Sequence, residues 1–239
     1  LGVAGAGGCV PTGTGYTQVV STQFSYAALK ADGSISAWGN NIYGTTDVPT
    51  GTGYTKIFST SGAFAALKTD GSVVTWGNTG YGNSNSPTGS GFIDIFTNSK
   101  SFSGLRPDGS ITSWGYSITG GTGAPVFTGY TAISSTQQAF AALKPDGTIY
   151  AWGSTAFGAG PYMPLGSGFV KIYANGGAFT GVRADGTLQS WGASASGGQA
   201  QPTGTGYTQV FSNGSAFSAL RTDGGIRAWG NAKNGGMFT

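Results

Sequence analysis

The sequence predicts an all-β fold: a six-bladed β-propeller of four-stranded blades, with the ring closed by the N-terminal segment. Three observations carry this expectation. Trp-Gly pairs recur at Trp38, Trp76, Trp114, Trp152, Trp191 and Trp229, at steps of 38 residues with one of 39. Six residues before each Trp stands an Asp-Gly, at Asp32, Asp70, Asp108, Asp146, Asp185 and Asp223. Inside each unit the apolar residues run at period two, as in Ser34-Ile35-Ser36-Ala37-Trp38, which is the pattern of a strand and not of a helix. A fixed period of this length marks a repeat architecture.

The elements follow in order within the unit. The first strand opens on an aromatic residue 22 positions before the Trp: Tyr16, Tyr54, Phe92, Tyr130, Phe169 and Tyr207. The second holds an aromatic residue 12 positions before it: Tyr26, Phe64, Phe102, Phe140, Phe179 and Phe217. Small pairs come next, such as Ala27-Ala28 and Ser103-Gly104, and suit a crowded place near an axis. Asp-Gly then turns the chain, since glycine accepts the positive φ of a tight hairpin and Asp bonds its own backbone. The third strand ends on the Trp. A Gly/Ser/Asn-rich connection leads to a short fourth segment ending near Val48-Pro49, read as an edge strand because proline cannot donate to a ladder.

Four short strands repeated six times, with no helical stretch, fit radial repetition about an axis. A linear stack would need capping repeats with polar outer faces, and none is visible. The six blades, centred on the six Trp residues, form one domain over residues 1–239. Residues 8–12 are expected to complete the last blade in competition with residues 234–239. Their register is the better match, because Val10 to Tyr16 repeats Val48 to Tyr54 residue for residue.

Composition narrows the function. The chain has 46 Gly, only 8% charged residues, no His and no Glu, yet 6 Trp, 11 Tyr and 14 Phe at fixed spacing, so it is expected to fold. The net charge of +3 is spread along the chain, and no basic stripe for nucleic acid is evident. No apolar stretch approaches the roughly 20 residues that span a bilayer, so membrane insertion is not expected. The one cysteine, Cys9, cannot form an internal disulfide. The chain opens on Leu1 and is read as a mature product or an excised part of a longer one. The small residues ahead of Cys9 are similar to the end of a lipoprotein signal, which leaves acylation of Cys9 as an alternative to its place in the repeat.

Catalysis is not expected. Without His or Glu there is no ordinary general base, the repeat Asp residues sit in turns, and Cys9 has no base beside it. Asp47 and Asp94 stand at non-equivalent positions, so no carboxylate pair is expected. Zinc wants His and Cys, calcium wants clustered carboxylates, and neither set is present, so no metal and no cofactor is expected.

The unit, with its aromatic residue, small-small-Leu-Lys, Asp-Gly and Trp-Gly-Asn, resembles the repeat of the regulator of chromosome condensation family. Tyr43-Gly44-Thr45-Thr46-Asp47-Val48-Pro49 and Ala27-Ala28-Leu29-Lys30 look like the secreted bacterial propellers that inhibit β-lactamase. The resemblance implies the propeller fold. It does not fix function, because the scaffold hosts unrelated activities. The chain departs from both relatives in supplying six blades where they have seven, and it never has His at the family's aromatic-or-His position.

The six copies diverge in two loops, which in the family lie on one face of the disc. One joins the first and second strands and the other follows Trp-Gly. Rigid scaffolds place binding on loops, and exposed aromatic residues are typical anchors. The candidate ligand-binding residues on this face are Phe24, Asn41, Tyr43, Tyr81, Lys100, Tyr116, Gln137 and Phe157. The alternative is that each ring folds back over its own blade.

The reading is an extracellular, non-catalytic binding domain of a bacterial surface or adhesin-type protein. Its ligand would be a glycan, stacked on Tyr43, Tyr81 and Phe157 with Asn41 and Gln137 as amide donors, or a protein surface. Two other classes stay open: a structural or assembly subunit of an extracellular filament, and a proteinaceous enzyme inhibitor.

Overall fold

In a computed structural model, residues 9–160 and 163–236 are described. The chain falls into two compact units, Leu1–Ala124 and Pro125–Thr239. The first contains nine strands in three antiparallel sheets: β1 (Tyr16–Ser21), β2 (Ser25–Lys30) and β3 (Ile35–Gly39); β4 (Tyr54–Ser59), β5 (Ala63–Lys68) and β6 (Val73–Gly77); β7 (Asp94–Thr97), β8 (Ser101–Leu105) and β9 (Ile111–Gly115). The second has the same plan: β10 (Ala132–Ser135), β11 (Ala139–Leu143) and β12 (Ile149–Gly153); β13 (Phe169–Ala174), β14 (Ala178–Arg183) and β15 (Leu188–Gly192); β16 (Tyr207–Ser212), β17 (Ala216–Arg221) and β18 (Ile226–Gly230).

Six such sheets are the number that a six-bladed propeller requires, but each has three strands and not the expected four. The segment after Trp-Gly forms a short 3-10 turn, Asn41–Tyr43 in repeat 1, followed by irregular chain. The physical reason lies in its backbone. Gly44, Asp47, Gly51 and Gly53 all have positive φ, which breaks the extended run a strand needs, and Pro49 has no N–H to offer. The expected closing strand is corrected likewise. Gly8 lies outside the described residues, residues 9–12 are irregular with Cys9 and Val10 exposed, and among the described residues the last sheet contains β16, β17 and β18 alone.

Register explains the aromatic spacing. In every sheet the second-strand aromatic residue lies directly opposite the Trp, as Phe64 does opposite Trp76 and Phe179 opposite Trp191. These pairs stack at centroid distances of 5.2 to 5.4 Å. Within each unit one repeat then covers the next. Ala27 and Leu29 of repeat 1 cluster with Ile57, Phe64 and Trp76 of repeat 2, and Ala65 and Leu67 of repeat 2 with Ile95, Phe102 and Trp114 of repeat 3. In the second unit, Ala141 and Leu143 pack with Phe179 and Trp191, while Val182 and Leu188 pack with Phe217 and Trp229. A single three-stranded sheet buries too little apolar surface to be stable alone, so these junctions hold the core.

The basic residue closing the second strand lies over the first-strand aromatic ring in all six repeats, as Lys30 over Tyr16 at 5.2 Å and Arg106 over Phe92 at 3.8 Å. This cation–π contact accounts for the repeat-locked basic residues.

The Asp-Gly turns have their own chemistry. Asp32 Oδ1 accepts from Ser34 N–H at 2.9 Å and Ser34 Oγ–H at 2.7 Å, and Asp70, Asp146 and Asp185 do the same with Ser72, Thr148 and Thr187. Bonds from the backbone N–H and hydroxyl two residues on hold the carboxyls of Asp32, Asp70, Asp108, Asp146 and Asp185 below their ordinary value of 3.8. A depressed folded pKa stabilises the fold above the unfolded value and is lost as pH falls through the folded one. The melting temperature is therefore expected to hold at neutral pH and to drop as pH passes below 3.8. Asp70→Asn and Asp146→Asn together flatten that drop; melts with the same acid sensitivity in the variant would refute the assignment.

Candidate functional site

The site begins with the two variable loops of each repeat, which a single framework residue ties together. Sixteen residues before each Trp stands Thr22, Thr60, Asn98, Thr136, Asn175 or Asn213. In all six repeats its side chain donates to the carbonyl that ends the 3-10 turn. Thr22 Oγ1 reaches Tyr43 O at 3.4 Å, Asn98 Nδ2 reaches Thr119 O at 2.5 Å, and Thr60 Oγ1 bonds Tyr81 O closely. Thr136, Asn175 and Asn213 serve Phe157, Ser196 and Asn234. These positioning residues were not singled out from the sequence, although the recurrence of Thr or Asn at one repeat position is a signal that could have found them.

The first-to-second-strand loops are also laced to one another. In the first unit Gln23 N–H donates to Ser61 O, and Ser61 N–H to Ser99 O, both at 2.9 Å. In the second, Gln137 N–H donates to Gly176 O and Gly176 N–H to Gly214 O, both at 3.1 Å. Backbone bonds thus join these loops to one another within each unit.

On that frame the first unit carries a continuous row of side chains across three repeats. The Phe24 ring meets Tyr43 edge-on, with centroids 4.8 Å apart and planes at 64°. Tyr43 meets Tyr81 at 5.9 Å and 60°. Lys100 Nζ then lies 4.7 Å from the Tyr81 ring centre and 5.2 Å from that of Tyr116. Gly62 makes the approach possible, since a Cβ there would lie 2.7 Å from Tyr81 Cγ and 3.1 Å from Tyr43 Cδ1. The ends of the row are open, with Phe24 54% and Tyr116 40% exposed, while Tyr43 and Tyr81 are half-buried between them. Ile42 and Ile118, neither of them named among the sequence candidates, are exposed on the adjoining turns.

The structure therefore brings together Phe24, Tyr43, Tyr81, Lys100 and Tyr116. Asn41 sits on the same turn as Tyr43, its Oδ1 accepting from Thr45 Oγ1 at 2.7 Å. Gln137 and Phe157 belong to the second unit. Gln137 is exposed, whereas Phe157 is half-buried and packs on the cluster that includes Phe179 and Trp191. Phe157 thus folds back onto the core of its own unit. Among the described residues no group of three or more Cys, Asp or Glu side chains is placed to hold a metal ion, and no helix is long and apolar enough to cross a membrane.

No protein-family model and no curated protein matches the chain. Solved structures do resemble it. The ectodomain of the receptor kinase CR4 from Physcomitrella patens superposes with a TM-score of 0.57 at 20% identity, over 87% of this chain and 59% of that one. The chain thus spans little more than half the length of that ectodomain. The CRINKLY WD40 ectodomain of the receptor kinase ACR4 from Arabidopsis thaliana gives 0.56 at 17% identity, over 93% and 84% of the two chains. Prp20p of Saccharomyces cerevisiae, studied for its binding to Gsp1p and histones and also described as yeast RCC1, gives 0.55 at 15% identity, over 90% and 72%. At these identities the likeness shows the fold, that of an RCC1-like repeat propeller. The narrower likeness to a β-lactamase inhibitor draws no support from these structures.

Proposed function

We propose that this chain is a non-catalytic binding domain, that its contact surface is the row from Phe24 to Tyr116, and that its ligand is a protein. The observation that carries the reading is the row itself: four aromatic rings and one lysine, joined by ring–ring and cation–π contacts across three repeats and mounted on hydrogen-bonded loops. Aromatic residues clustered in this way are the usual energetic centre of a protein interface. The geometry favours a protein over a glycan. Stacking a sugar needs a free ring face, but Tyr43 and Tyr81 are turned on each other at 60° and Lys100 lies over both Tyr81 and Tyr116. The exposed Ile42 and Ile118 beside the row suit an apolar partner surface better than a sugar.

We place this activity outside the cell, as the binding part of a surface or adhesin-type protein. Low charge, the Gly/Ser/Thr-rich loops and the likeness in fold to two receptor ectodomains support that placement.

The test pairs a glycan array with affinity capture on the immobilised domain, followed by the Tyr43→Ala/Tyr81→Ala variant. One captured protein with a silent array is expected, and the variant is expected to bind it at least tenfold more weakly, as loss of a hot spot worth about 2 kcal/mol implies, with its melting temperature little changed. Unchanged affinity in the variant, or a glycan signal that the variant abolishes, would contradict the protein reading.

A further inference from the structure

Lys100 is the one charged member of the row, and repeat 3 departs from the other repeats in two ways to hold it. The five equivalent positions carry no charge: Phe24, Gly62, Gln138, Gly177 and Ser215. The second departure is at the start of the 3-10 turn. In the other two repeats of the first unit an asparagine stands there, Asn40 or Asn78, whose Oδ1 accepts from the N–H two residues on at 2.9 Å. Repeat 3 has Tyr116, which makes no such bond and lends its ring to Lys100 Nζ. The Lys100 backbone is held too, its N–H donating to Asn98 Oδ1 at 3.1 Å and its carbonyl accepting from Tyr116 N–H at 3.0 Å. Among the described residues the ion pairs are Lys56 with Asp94 and Arg221 with Asp223, so the ammonium has two rings beside it but no carboxylate.

We propose that the protein partner sets a single carboxylate, from Asp or Glu, on Lys100, with apolar residues on either side of it. The inference rests on the row being the contact surface. A partner that covers the row strips water from the half-buried Lys100, and a charge buried without a counter-charge is strongly unfavourable. Two ring faces offset only part of that loss. The counter-charge therefore has to come from the partner. The other four bases of the first unit are committed elsewhere: Lys30, Lys68 and Arg106 lie over first-strand rings, and Lys56 pairs with Asp94. One lysine standing alone matches a carboxylate, whereas a doubly charged phosphate calls for a cluster of bases. The exposed Ile42 and Ile118 give the residues flanking that carboxylate an apolar surface to meet.

The experiment pans a phage library of random short peptides against the immobilised chain, against Lys100→Met and against Tyr43→Ala/Tyr81→Ala. The parent chain is expected to enrich peptides with Asp or Glu set between apolar residues, Lys100→Met to lose the acidic preference, and the double variant to enrich nothing. The strongest peptide is then titrated with its acid changed to the matching amide. That change is expected to weaken binding to the parent by about tenfold or more and binding to Lys100→Met hardly at all, and the parent's affinity is expected to fall as salt rises. Because the amide change is made in the peptide, the loss on the parent is read whether or not Lys100→Met folds. Enriched peptides without an acid, or an amide change that the parent does not feel or that Lys100→Met feels equally, would overturn the proposal and leave the row standing. A parent that enriches no peptide, or peptides that bind the double variant as they bind the parent, would overturn the reading of the row itself and this inference with it.

Discussion

Trp76→Ala is expected to destabilise the protein by about 3–5 kcal/mol, the usual cost of emptying a fully buried Trp site. Trp76 is wholly buried, stacks on Phe64 at 5.2 Å, and packs against Ala27 and Leu29 of the preceding repeat. Its Nε1–H also donates to Gly44 O at 3.0 Å, so truncation opens a cavity and leaves a carbonyl unpaired together. Since domains are stable by only about 5–15 kcal/mol, this one change consumes a large share of the margin. Trp38→Ala removes the same residue type from the half-buried leading face of repeat 1 and is expected to cost less than half as much. Trp76→Phe separates the two contributions, because it keeps an aromatic ring beside Phe64 while losing the bond to Gly44. Denaturant midpoints of the three variants check the order. Equal losses for Trp38→Ala and Trp76→Ala would mean that the preceding repeat contributes nothing.

Most of this core was legible in the sequence. The three strands of each repeat followed from period-two alternation and from Asp-Gly and Trp-Gly at fixed spacing, because each of those signals is local and recurs six times. The fourth segment was misread. Val48-Pro49 looks like the end of an edge strand, but Asp47 takes a positive φ that the residue type only permits and does not announce. The closing strand differs for a related reason: residues 10–16 and 48–54 are identical, but residues 48–53 form no strand either.

The candidate site was legible in part. Loop divergence among the copies pointed to Phe24, Tyr43, Tyr81, Lys100 and Tyr116, and all five meet in one row. What no residue type could reveal was the choice each ring makes between neighbour rings and its own core. Phe157 occupies the position of Tyr43 and Tyr81, yet it turns onto the core; a phenyl ring has no hydroxyl to keep near water. Thr22 and its equivalents went unremarked because a lone Thr or Asn in a loop carries no meaning until the carbonyl it serves has a place in space.

Within each unit one repeat is locked to the one that follows it, and a pair of glycines tests this most directly. Gly147 and Gly224 occupy the same place in their Asp-Gly turns, with φ of 81° and 82°. A Cβ on Gly147 would fall 2.3 Å from the backbone nitrogens of Gly168 and Phe169, at the start of repeat 5, whereas one on Gly224 meets nothing within 4 Å. Gly168 N–H and Phe169 N–H donate to Asp146 O and Gly147 O, so the junction must open to admit the methyl group. Gly224→Ala is expected to cost about 1–2 kcal/mol, the strain of a side chain in the left-handed region. Gly147→Ala adds to that strain two displaced hydrogen bonds at about 1 kcal/mol each. The measurement is the difference in unfolding free energy between the two variants. Repeat-to-repeat locking predicts that Gly147→Ala is the less stable by about 2 kcal/mol or more; equal stabilities would show that the turn of one repeat does not bear on the next.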